Sequence, residues 1–196
     1  MKKSFITRNA FLIMGLITWS FFSCKDAPKP EDTKETAEDK NEAQFEEKAS
    51  EKDEATFFVD IAEIDLAEIE TAKLAQQKAT NLDVKKYAEM LVTDHTKSSA
   101  ELQKLADNRQ LSLPTSVTDD GKEKYNNLNE KSGLDFDKEF INTMIEDHEK
   151  AIKKMEDASE DNDKDQSVKV WASNKIANLT AHLQKAKMLK EKLDKK

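Results

Sequence analysis

The sequence predicts an all-α protein, built as two helical hairpins that form one up-down four-helix bundle, with a short extra helix in the connection between the second and third long helices. Three observations predict it. From residue 53 onward the only breakers are Pro114, Gly121 and Gly133. The same stretch is rich in Ala, Leu, Lys, Glu, Asp and Gln, mostly residues that lose little on entering a helix. Its apolar residues recur at alternating four–three spacings, the period of a helix with one buried stripe.

Residues 1–23 read as a leader. Lys2, Lys3 and Arg8 form a basic start, and Ala10 to Phe22 is a run of 13 residues interrupted only by Gly15, Thr18 and Ser20. A mature transmembrane helix needs about 20. The run ends at Phe21-Phe22-Ser23-Cys24, which resembles a bacterial lipobox cut before Cys24, with phenylalanine where leucine is usual. Cys24 is the only cysteine, so no intramolecular disulfide exists, and lipidation accounts for a lone thiol at that position. The expected partner is therefore a membrane, reached through lipid on Cys24. Lys25-Asp26 follows, without the aspartate directly after the cysteine that marks inner-membrane retention. The chain thus resembles an outer-membrane lipoprotein, facing either the periplasm or the cell surface.

The formal net charge is −8; removing the three cations of the leader leaves −11. Such an acidic chain argues against nucleic acid and against electrostatic attachment to anionic lipid. Residues 24–52 read as an acidic, disordered tether: from Lys25 to Asp53 there are eleven acidic and six basic residues, two prolines and one aromatic, Phe45. That composition buries too little apolar surface to offset its ordering entropy.

The folded domain is expected over 53–196. Its first long helix spans about 53–79, with Phe57, Ile61, Ile64, Glu68, Thr71 and Ala75 on one stripe. Asn81 is the expected N-cap of the second, which runs to about 108 and carries Val84, Ala88, Leu91, His95, Ser98, Leu102 and Leu105. Pro114 breaks the chain, a short helix covers about 120–130, and Gly133 marks a turn. The third long helix starts near Asp135 with Ile141, Met144, His148, Ala151, Met155 and Ala158 aligned. The fourth spans about 165–193 with Val168, Ala172, Lys175, Leu179, His182, Ala186, Leu189 and Leu193 aligned.

All three histidines thus fall on inward stripes, and two follow aspartates, as Asp94-His95 and Asp147-His148. The segments Val84-Lys85-Lys86-Tyr87-Ala88-Glu89-Met90-Leu91-Val92-Thr93-Asp94-His95-Thr96-Lys97 and Met144-Ile145-Glu146-Asp147-His148-Glu149-Lys150-Ala151 carry a family resemblance. So do Phe57-Phe58-Val59, Ala67-Glu68-Ile69-Glu70, Leu113-Pro114, Phe136-Asp137 and Leu179 to Leu183. In order and spacing they resemble the domain of unknown function 4142 family of bacterial envelope proteins, over about residues 54–192. The resemblance implies a ferritin-like bundle and an envelope location, and carries no activity. One departure stands out: Ile64, Asp65 and Leu66 occupy positions that are small or glycine in the family.

Convergent histidines in a helical bundle suit transition metals, with carboxylates completing the site. The candidate ligands are His95, His148, His182 and Glu68, one per long helix, with Asp94 and Asp147 as residues that orient a histidine on a neighbouring helix. Dinuclear iron bundles use Glu-x-x-His; here Val92, Ile145 and Leu179 stand three residues before the histidines, so that chemistry is not expected. The alternative is a core network in which each histidine bonds a carboxylate and fixes helix register. No catalytic residue is assigned. No phosphate loop, nucleophile elbow or supported serine–histidine pattern is present. The functional expectation is a membrane-anchored envelope lipoprotein with a non-enzymatic binding or stress-related role. The alternative is a metal-binding protein or metalloenzyme with a mononuclear His/Glu site; no cofactor is required by the sequence.

Overall fold

The structure, a computed structural model, describes residues 31–195. They form six helices and, among the described residues, no strand. The leader and Cys24 lie outside the described residues. No described helix is long and apolar enough to cross a membrane.

Helix α1 (Thr33–Gln44) lies within the stretch expected to be a disordered tether, and corrects that expectation. Its hold on the rest of the chain is largely polar. Asp32 caps it by accepting from Lys34 N at 2.7 Å. The buried Asn41 side chain donates to Ser112 O at 2.9 Å and accepts from Ser112 N at 2.7 Å. Thr33 Oγ1 donates to Ser116 O at 2.9 Å, and Lys34 pairs with Glu63 at 2.6 Å. Satisfied hydrogen bonds to backbone groups supply the hold that apolar area does not.

Helix α2 (Ala49–Lys78) begins earlier than its apolar stripe suggests. Helix α3 (Leu82–Asp107) starts after Asn81, whose side chain accepts from Asp83 N at 2.8 Å, the cap expected there. Thr118 caps α4 (Asp119–Asn129), and Asp165 caps α6 (Gln166–Asp194). Helix α5 (Gly133–Glu160) opens before Asp135, with Ser132 as its N-cap residue; Gly133 takes φ +59° at the entry, a conformation that glycine adopts without cost.

The short α2–α3 and α5–α6 connections fold these helices back as antiparallel hairpins. Between hairpins, Asp60–Lys154, Glu68–His148 and Thr80–Asp137 contacts run in opposite directions along α2 and α5. Asp83–Lys192 and Glu101–Lys175 do the same along α3 and α6. Every neighbouring pair of long helices is therefore antiparallel. Helix α4 lies against α2, where Gly121 permits the approach: a Cβ there would sit 2.6 Å from Val117 Cγ1 and 3.2 Å from Ala67 Cβ.

The core falls into two apolar clusters. One holds Val84, Tyr87, Leu91, Phe136, Phe140, Met144 and Leu189; Phe136 and Phe140 stack with ring centres 6.4 Å apart. The other holds Phe57, Phe58, Leu102, Met155, Val168 and Trp171. Between them, at mid-height on each long helix, lie the buried polar residues Asp65, Glu68, His95, His148 and His182.

Candidate metal centre

Helix periodicity delivers these side chains to one level. Asp65 and Glu68 are three residues apart on α2 and share a face. His95, His148 and His182 sit mid-way along α3, α5 and α6. All five are at most 4 % exposed. The imidazole centres are 5.5 Å apart for His95–His148 and His95–His182, and 5.3 Å for His148–His182. One nitrogen from each histidine lies within 4.8 Å of the others. Glu68 belongs to an adjoining group with Asp65 and His95 that meets the same limit, so His95 is common to both.

The contacts form a continuous chain across all four long helices. Asp65 Oδ1 is 2.7 Å from His95 Nδ1, and His95 Nε2 is 2.9 Å from Glu68 Oε2. Glu68 Oε1 is 3.2 Å from His148 Nδ1, which also donates to Met144 O at 2.8 Å. His148 Nε2 is 3.2 Å from His182 Nδ1, and His182 Nε2 is 3.0 Å from Asp94 Oδ2 at the half-exposed end. The contacts to Glu68 are close but not aligned as hydrogen bonds. Both Glu68 oxygens, His95 Nε2 and Asp65 Oδ2 are buried without a hydrogen-bond partner.

Burial alone would discharge His95, but the Glu68 charge and the Asp65 hydrogen bond outweigh it and push its pKa up to about 10. Burial likewise opposes ionisation of Glu68, yet the His148 and His95 charges hold it well below the usual carboxylate range. Burial pushes Asp65 up despite His95. The two shifts pull the pair's proton in different directions; the direction that governs is retention of a proton between Asp65 and His95, because both carboxylates flank that ring. His182 is lowered, first by burial, against the pull of Asp94.

The partners fix the tautomers. A carbonyl only accepts, so His148 Nδ1 carries a hydrogen. The Asp94 carboxylate accepts from His182 Nε2, so a neutral His182 presents a lone pair at Nδ1. His148 Nε2 and His182 Nδ1 meet at 3.2 Å in this buried site, as a hydrogen bond when one of them carries the hydrogen.

The structure thus brings the three expected histidines together and sets Glu68 beside them. Asp94 lies on His182. Asp147 is a correction: it touches no histidine and instead pairs with Lys124 of α4 at 2.6 Å. It faces away because one residue along a helix turns about 100°. Lys175, on the same α6 stripe as His182, pairs with Glu101 of α3 at 2.6 Å. Asp65 is a site residue that the apolar stripe did not mark; its spacing of three from Glu68 was the available signal.

No curated protein and no solved structure matches the chain. One family model does, over residues 38–189. By that match, and with the Asp-His segments of α3 and α5 at the centre of the matched region, the chain belongs to the domain of unknown function 4142 family.

Proposed function

We propose that the helical domain is a ferritin-like bundle that binds one transition-metal ion through His95, His148 and His182, carried at the cell envelope by lipid on Cys24. The observation that carries the metal reading is the convergence of one nitrogen each from His95, His148 and His182, all buried and within 4.8 Å of one another. A cation suits such a cluster of nitrogens. Three neutral imidazoles suit zinc, copper, iron or nickel, and each outward nitrogen is already bonded to an acceptor, as metal-ligating histidines require. His95 is the ligand that must release its proton. Glu68 lies at His95 with its oxygens otherwise unpartnered, and its charge balances the ion. A bound ion of this kind supplies a Lewis acid or a redox centre. The missing Glu-x-x-His spacing argues against a dinuclear iron centre.

The competing reading is a structural charge network. It is favoured by His95, held between Asp65 and Glu68, and by the His148 Nε2–His182 Nδ1 contact, which one hydrogen can bridge. The test is metal content of the full chain purified in detergent, after stripping and reloading with zinc, copper, iron or nickel. One ion per chain, lost in His148→Ala and His182→Ala, supports the reading. No retained ion and no change in melting temperature on adding metal removes it. Incorporation of labelled fatty acid that disappears in Cys24→Ala tests the anchor.

A further inference from the structure

We infer that the three-histidine centre is open on one side and takes a small exogenous donor ligand, of one to three heavy atoms, from a cavity that His95 and His182 border inside the bundle. This deepens the metal reading and rests on it. The cavity measures about 30 Å³, above the ~10–15 Å³ that one water molecule needs. Its position relative to the ligands is the main observation. His95 and His182 border it, whereas His148 and Glu68 do not. All four long helices line it, with Ile61, Ala151, Met155 and Leu179 of the second apolar cluster, so the space adjoins the histidine level on that cluster's side.

The donor set points the same way. Three protein ligands with a vacant fourth position characterise sites that exchange a ligand, whereas structural sites are closed by four. Glu68 joins Asp65 and His95 rather than the three-nitrogen group, with its oxygens 2.9 Å from His95 Nε2 and 3.2 Å from His148 Nδ1.

The lining defines what fits. Ile61, Ile64, Met155 and Leu179 make the inner walls apolar and exclude bulky or strongly hydrated groups. Ser98, Asn178 and Lys175 supply donors. Two carboxylates also border the space. Asp94 is engaged by His182 Nε2, and Asp65 by His95 Nδ1, so each has an oxygen committed to an imidazole. A small anion or neutral donor that can bond to a cation suits this space.

Azide and the cobalt(II)-loaded full chain make the test, because cobalt absorption reports a change of ligand directly. The expected result is a saturable change in the visible spectrum on adding azide to wild type. Ser98→Leu and Ala151→Val, which fill the cavity from α3 and α5, should keep one cobalt per chain and weaken the azide response at least tenfold. A wild-type protein that binds cobalt and does not respond to azide overturns this inference while leaving the metal reading intact. So does an unchanged azide affinity in a cobalt-loaded filling variant. A chain that binds no cobalt overturns both.

Discussion

Asp94 Oδ2 lies 3.0 Å from His182 Nε2, and this contact joins the buried centre to the surface, since the Asp94 side chain is 40 % exposed while His182 is buried. The carboxylate sets the His182 tautomer that turns Nδ1 inward. Asp94→Asn can offer its amide hydrogen instead and thereby reverse the tautomer. It should weaken metal binding by about 10–100-fold, the range for groups that orient a ligand. Chelator competition measures it, and wild-type affinity in Asp94→Asn would contradict the tautomer argument.

Glu68 makes a separate prediction about the metal-free protein. Glu68→Leu leaves the His95–Asp65 pair without its main counter-charge in a dry interior. Breaking a buried pair from one side costs about 3–5 kcal/mol, seen as a lower urea midpoint. Replacing the whole group, Asp65→Leu with Glu68→Leu and His95→Leu, removes the buried charge altogether. That triple variant should regain wild-type stability or exceed it, and bind no metal. If it is as unstable as Glu68→Leu, the network is a structural requirement rather than a site retained for binding.

Asp137 ties the start of α5 to the α2–α3 turn. Its carboxylate accepts from Thr80 N at 3.0 Å, Thr80 Oγ1 at 2.6 Å and Asn81 N at 2.9 Å. Asp137→Ala removes these hydrogen bonds to a buried carboxylate and should cost about 1.5–3 kcal/mol, the worth of a hydrogen bond to a charged group. Chemical denaturation reads it. Metal stoichiometry should not change, because the turn is remote from the histidines.

Lys34 gives the docking of α1 a pH dependence. Burial would lower its pKa, but the hydrogen bond and charge of Glu63, with Asp60, outweigh it and leave the group raised from 10.5. A cation raised on folding contributes stability that is complete below 10.5 and is lost as pH climbs through the raised value. Hydrogen exchange should therefore show α1 amides losing protection at alkaline pH before those of α5. Lys34→Met should expose α1 at neutral pH already. Equal protection of α1 in both proteins across that window would rule out the pair as its clasp.

The long helices were legible because a single buried stripe dominates α3, α5 and α6. The histidines on those stripes could be placed at one level for the same reason. Helix α2 is different. It is covered by α1 and α4 as well as by α3 and α5, so its buried residues, among them Ala62, Asp65, Ala67 and Glu68, spread over more than one stripe. Asp65 was hidden by that spread. Helix α1 was hidden because its hold depends on Asn41 and Thr33 meeting particular backbone groups of the 108–118 connection, which no composition reveals. Asp147 was misassigned because the turn of about 100° from His148 carries it to Lys124 of α4, whereas the same turn from His95 carries Asp94 to His182. The pairing of His148 with His182 depends on side-chain rotation about fixed backbones, and that lies beyond periodicity.

The polar level between two apolar clusters has a consequence for how such chains can vary in length. Deleting one residue turns everything beyond it by about 100° and shifts it by 1.5 Å. Within α2, α3, α5 or α6 that would carry an imidazole or carboxylate off its level and into the oily layer above or below. Insertions and deletions should therefore be excluded from the helical spans between each turn and its polar residue. Such changes should collect in the 108–118 connection, the 161–165 turn and the two ends, where spacing to the histidines is not counted.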